Sequence, residues 1–213
     1  MEYSLLDILA ACAGMLAVWM CGVTRVRTLL TGLALQVAAL AGIALVMGIQ
    51  AHAAHHVILA SAVLLIKAVA IPLYLAWSTS RLGLREDRGS GLSPTPALLL
   101  GCGVLGAGYF ASPLIATPTG HAGAAGMALA LVLVGMLLMI GRRLAISQVI
   151  GFLVLENGIF LYGLTQTPGM PLLMEMGVIF DVLVGVLVAG LVIFRLNRSF
   201  EHIDVTHLRG LRH

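Results

Sequence analysis

The chain has 213 residues, of which 60% are hydrophobic and 10% charged, with a formal net charge of +3. Soluble domains carry about 25% charged residues, and the mean hydropathy here is +1.06. A soluble fold of this size cannot hide so much apolar surface, so a water-soluble domain is excluded and lipid is the expected surrounding. The 25 glycines and low aromatic content fit closely packed membrane helices.

Apolar stretches of roughly 20 residues mark the spans. Taken in chain order, they predict helix one at 5–23 and helix two at 28–47. Helix one opens with Glu2 and Asp7 rather than a basic region, which predicts a retained helix and not a cleaved signal peptide. Helix three is predicted at 56–77, with Lys67 near its middle and Pro72 five residues on. That proline should disturb the helix and free a carbonyl near Ala68. Helix four, at 95–109, is short and starts in a Pro-rich run. Helices five, six and seven are predicted at 122–140, 144–164 and 172–194. The fold class is therefore all-α integral membrane, with about seven transmembrane helices.

The arginines sort onto one side of this plan. Arg25 and Arg27 follow helix one, and Arg81, Arg85 and Arg88 follow helix three. Arg142 and Arg143 follow helix five, and Arg195, Arg198, Arg209 and Arg212 follow helix seven. The alternate loops, around 50–55, 112–120 and 165–171, contain no Lys or Arg. The positive-inside rule then predicts an outer N-terminus and a cytoplasmic C-terminus in the plasma (inner) membrane.

Helices one to three and five to seven follow one plan. Each trio has a basic turn after its first helix, a polar residue in its second (Gln36 or Glu156) and a charge midway along its third (Lys67 or Asp181). Three helices plus one linking helix restore the starting orientation, so the two units are predicted to be parallel repeats. The expected divisions are an N-terminal three-helix unit at 1–92 and a linking helix and outer loop at 93–121. A second three-helix unit at 122–196 and a cytoplasmic tail at 197–213 complete them.

Chemistry is expected where charge lies deep. Lys67, Glu156 and Asp181 sit near the middles of helices three, six and seven. Each costs roughly 2.5–3.5 kcal/mol at a helix centre on insertion scales, so each must face protein or water. Gly177, Asp181 and Gly185 form one stripe, Gln148, Phe152 and Glu156 a second with Asn157 beside it, and Thr28, Gly32 and Gln36 a third. Two readings remain. In one, Lys67, Glu156 and Asp181 form a lateral proton relay, supported by Gln36, Gln148, Asn157 and Glu175. Low dielectric brings acids and amines toward the range in which protons exchange easily. In the other, a Lys67–Asp181 salt bridge only locks the repeats together.

Other groups carry less. Cys12, Cys21 and Cys102 lie in apolar stretches without metal or disulfide spacing and are expected to pack as small hydrophobes. His52 and His56 stand four residues apart, but no carboxylate lies near them in sequence, and no metal is expected. No phosphate-binding loop, nucleophile–base pair, or haem or iron–sulfur ligand set is present, so no catalytic residue and no cofactor is assigned to this chain.

Several of these residues also carry a resemblance. They are Arg142-Arg143 after a Gly-rich helix, Ile150-Gly151, Glu156, and Asp181 with Gly185, with Ile203-Asp204 and Arg209-Gly210 in the tail. On them, roughly residues 123–213 resemble the K subunit of respiratory complex I and the C subunit of multisubunit sodium/proton antiporters. With the first half added, the whole chain resembles hydrogenase-4 component E. The run Leu155-Glu156-Asn157-Gly158-Ile159-Phe160 and the pair Gly169-Met170-Pro171-Leu172-Leu173 and Phe180-Asp181 carry that likeness. Two features depart from the K subunit: Glu156 lies about one turn deeper, and Asp181 stands where the K subunit has Glu.

The resemblance implies a non-catalytic membrane subunit of a complex I-like, membrane-bound [NiFe] hydrogenase or formate hydrogenlyase-type assembly. The nickel–iron and iron–sulfur centres would belong to a soluble arm, and antiporter-like membrane subunits would be neighbours. Two alternatives stand beside it: a subunit of a cation/proton antiporter complex without redox partners, and a purely structural membrane scaffold.

Overall fold

The computed structural model describes residues 5–50, 66–81, 86–87, 91–115 and 117–166, together with Leu183, Val186 and Gly190. In chain order these residues form α1 (Leu5–Gly22), α2 (Val26–Gln50), a single π-helical turn (Ile66–Ala70) and α3 (Ile71–Arg81). Next come α4 (Pro94–Ala111) with a short 3-10 turn (Ser112–Leu114), then α5 (Ala122–Gly141) and α6 (Ala145–Gln166). No strand occurs among the described residues, where pairing is limited to an isolated bridge between Arg25 and Glu86.

Five of these helices, α1, α2, α4, α5 and α6, are long and apolar enough to cross a membrane. Their ends fall within a few residues of the predicted ones. Helix four is longer than its sequence suggested, because Pro94 and Pro96 sit in its first turn, where no intrahelical N–H bond is lost. Predicted helix seven and the tail lie outside the described residues, apart from the helical positions Leu183, Val186 and Gly190. Glu175, Asp181 and the histidines at 52, 55 and 56 lie outside them too.

Two short connections set the arrangement. Residues 23–25 join α1 to α2, and residues 142–144 join α5 to α6, so each pair forms an antiparallel hairpin. The hairpins then pack like against like, α1 on α5 and α2 on α6, with α4 against α1 and α5. Small residues allow the close approaches. A Cβ on Gly108 would lie 2.6 Å from the carbonyl oxygen of Gly126, so α4 and α5 touch backbone to backbone. Gly135 meets the backbone of Leu155 in the same way where α5 crosses α6.

The core runs through Ala13, Ala17, Leu33, Leu40, Leu131, Val134, Ile150 and Leu161, all buried. Val69, Leu73 and Trp77 recur every fourth residue on an exposed stripe of the π-turn and α3, as expected of a helix with one side to lipid. The α4 surface is more open still, with Leu99, Leu100 and Phe110 exposed.

Candidate functional site

The π-turn holds Lys67. Pro72 has no N–H to give the carbonyl of Ala68, so regular α-helical bonding cannot continue through this turn. The structure replaces it with one wider π turn that ends at Ala70, a device found often at functional positions. Lys67 lies on that turn, 6% exposed.

Its Nζ donates to Glu156 Oε1 at 2.6 Å, and both side chains are buried. Glu156 sits at the middle of α6, so the ion pair crosses the centre of the apolar layer. The carboxylate that Lys67 meets among the described residues is thus Glu156, whereas the salt-bridge reading of the sequence pairs Lys67 with Asp181. Helical periodicity says which residues are deep, but not which deep residues on separate helices share a level and a direction.

A polar pair lies one residue along α6. Asn157 Nδ2 donates to Gln36 Oε1 at 3.0 Å, and Gln36 Nε2 donates to the carbonyl of Ala13 at 3.2 Å. Both amides are buried. They join α6, α2 and α1 by side-chain hydrogen bonds inside the apolar region. Asn157 Oδ1 and Ser147 Oγ are buried without a hydrogen-bond partner among the described residues. Gln148 is elsewhere: its Nε2 donates to the carbonyl of Arg142 at 2.9 Å, which fastens the start of α6 and keeps it out of this cluster.

A second group of buried charges lies at the helix ends, where sequence reasoning saw only loop arginines. Arg142 is 6% exposed, and its Nη2 donates to the carbonyls of Met20 and Cys21 at 3.0 and 3.1 Å. It therefore caps the C-terminus of α1, which has no basic residue in its own last turn. Burial lowers the Arg142 pKa from its ordinary value, while the nearby Asp87 carboxylate acts the other way. A guanidinium nonetheless stays protonated in proteins.

Asp87 is itself buried. Its N–H donates to the carbonyl of Thr24 at 2.9 Å, and its Oδ2 takes a long bond from Leu144 N at 3.5 Å. Arg25 lies 3.7 Å from Glu86. Residues 23–25, 86–87 and 142–144, with Arg25 and Arg142 beside the acidic Glu86 and Asp87, thus gather at one end. The opposite end is tied by Ala124 N donating to Asp7 Oδ1 at 2.9 Å and by Thr119 Oγ1 donating to the carbonyl of Thr165 at 2.6 Å.

Of the expected site residues, then, Lys67 and Glu156 are brought into contact, and Gln36 and Asn157 bond one another beside them. Asp181 and Glu175 lie outside the described residues. Among those described, no group of three or more His, Cys, Asp or Glu is placed to hold a metal ion. Cys21 is buried, Cys12 half-buried and Cys102 exposed on α4.

A bundle of long apolar helices with a charged pair at mid-depth defines a polytopic helical membrane protein. No family model and no solved structure matches the chain. It is similar to the uncharacterized protein Rv0085 of Mycobacterium tuberculosis (strain ATCC 25618 / H37Rv), at 34% identity over 203 residues, 94% of this chain and 91% of that protein. The chain belongs to the same family as that protein.

Proposed function

We propose that this chain is a non-catalytic membrane subunit of a complex I-like, membrane-bound [NiFe] hydrogenase or formate hydrogenlyase-type complex, and that it carries part of a proton path in the membrane plane. The observation that carries the reading is the buried Lys67–Glu156 pair on a π turn at mid-depth. An ammonium at 2.6 Å from a carboxylate can pass it a proton and leave an amine and an acid, both neutral. Neutral forms are the cheaper ones in low dielectric. The proton path would continue through Asp181, with Gln36 and Asn157 holding α6 in register and Glu175 near the outer end.

The same reading takes the chain as seven spans in the inner membrane, built from two parallel repeats with the C-terminus in the cytoplasm. The two matching hairpins, α1–α2 and α5–α6, each closed by a three-residue connection, support the repeat plan. The gathering of Arg25 and Arg142 at one end supports the orientation. A reporter active only outside should work after Pro118 and fail after Gly89 or at His213; the reverse pattern contradicts the orientation.

Partners test the assembly. The tagged chain, extracted in mild detergent, should bring down larger antiporter-like membrane subunits and a soluble arm containing nickel and iron–sulfur proteins, identified by mass spectrometry. Antiporter subunits without a metal-containing arm would favour the cation/proton antiporter alternative. A chain that purifies alone and active would contradict both. The directness of the Lys67–Glu156 contact also favours a second reading, in which the pair is only a clamp within a structural scaffold.

A further inference from the structure

Contact between Lys67 and Glu156 requires Lys67 to face into the bundle, and the turn that carries it sets that direction. Beyond the turn, α3 buries Pro72, Leu75 and Thr79, a stripe with spacings of three and four residues. An α-helix turns about 100° per residue, so a regular helix would continue this stripe four residues back, to Ala68. Lys67 would then stand about 80° from Leu75 and about 120° from Thr79 around the axis, on the flank of the helix rather than on its packed face. The observed order is the reverse: Lys67 is 6% exposed, and Ala68 is only half-buried.

The π turn accounts for the difference. Bonding over five residues rather than four places one more residue in the turn. Lys67 thereby takes the place around the axis that Ala68 would hold in a regular helix, in line with Pro72, Leu75 and Thr79. Pro72 decides between the two geometries. In a regular helix its ring would crowd the Ala68 carbonyl and offer it no N–H. With the wider turn, Pro72 falls instead in the first turn of α3, where proline is tolerated.

We propose that Pro72 is the positioning residue of the ion pair: it enforces the wide turn, and the wide turn brings Lys67 round to Glu156. The inference deepens the proton-path reading and rests on it for the effect on transport. It makes a specific demand on register. Without Pro72 the turn becomes α-helical, Lys67 leaves the packed face, and position 68 replaces it there.

Lys67 is the only lysine in the chain. Isotope labelling of lysine nitrogen in the full chain, held in lipid nanodiscs, therefore gives one Nζ resonance. In the wild type its shift should respond to Glu156→Gln, which removes the paired carboxylate. In Pro72→Ala, which returns an N–H to the turn, that response should be lost. Moving the lysine one residue, by Lys67→Ala with Ala68→Lys, should restore the response in Pro72→Ala and abolish it where Pro72 is kept. Pro72→Leu, which also returns the N–H and fills more of the buried space, should behave as Pro72→Ala and serves in its place should that variant not fold. Proton transport by the assembled complex in vesicles should be lost and regained in step with the resonance. A response from Lys67 that survives the loss of Pro72 overturns the assignment, as does a moved lysine that pairs equally well with Pro72 in place. So does the absence of rescue by the move, which is what a merely structural proline predicts. If the resonance follows the expected pattern and transport does not, Pro72 positions the pair and the proton-path reading fails.

Discussion

Two buried charge sites in this bundle differ in depth and in chemistry. Arg142 lies at the helix ends with its charge spread over a planar fork that grips two carbonyls of α1, with Asp87 close by. Lys67 lies at mid-depth with the Glu156 carboxylate on its Nζ. The first group cannot give up its proton and has several acceptors, which makes it a fastener. The second joins two groups that can both become neutral, on a turn that is not regular α-helix. Burial alone therefore does not mark a proton site; the nature of the base and the alternatives open to it do.

The largest effect expected from breaking this comparison is at Arg142. Arg142→Ala leaves the Met20 and Cys21 carbonyls and the buried Asp87 without their cation, and should cost about 3–5 kcal/mol. Thermal unfolding in detergent measures it. Arg142→Lys should restore only part of the loss, because a point-charge ammonium does not reproduce the guanidinium fork. Full recovery by Lys would mean that charge alone matters there.

A smaller effect is expected at the amide pair. Asn157→Ala removes the hydrogen bond to Gln36 and should cost about 0.6–1.7 kcal/mol, the range measured for polar contacts between membrane helices. Paired with Gln36→Leu, the two losses should be less than additive, since both remove the same bond. Additive losses in the double mutant would show that the amides do not act together.

Much of this was legible in the sequence. Apolar length set the five long helices, and loop arginines predicted which connections share an end. The depth of Lys67 and Glu156 in their helices, with Gln36 and Asn157, marked the residues that do meet. Pro72 signalled an irregularity near Ala68, although not that it takes the form of a π turn around Lys67. What periodicity lacks is the relative height and rotation of separate helices. The contact of Lys67 with Glu156 and the turn of Gln148 back to the Arg142 carbonyl depend on those quantities. Arg142 itself was hidden by belonging to a set of loop arginines with a sufficient reason to be there. The clues were the mixed charges at 85–88 and the absence of a basic residue in the last turn of α1.

The central claim is that Lys67 and Glu156 move protons rather than only hold helices. The most direct test compares the yield of assembled complex with proton transport in vesicles for Glu156→Gln, Lys67→Met and the double mutant. Gln and Met keep volume but do not titrate, and a stranded acid can bind a proton and become neutral instead of remaining a buried charge. The account predicts near-normal assembly and lost proton transport in each single mutant, with no recovery in the double. A clamp predicts the opposite: each single strands a buried charge and loses about 3–5 kcal/mol with its assembly. Recovery of both assembly and transport in the double mutant would contradict the relay.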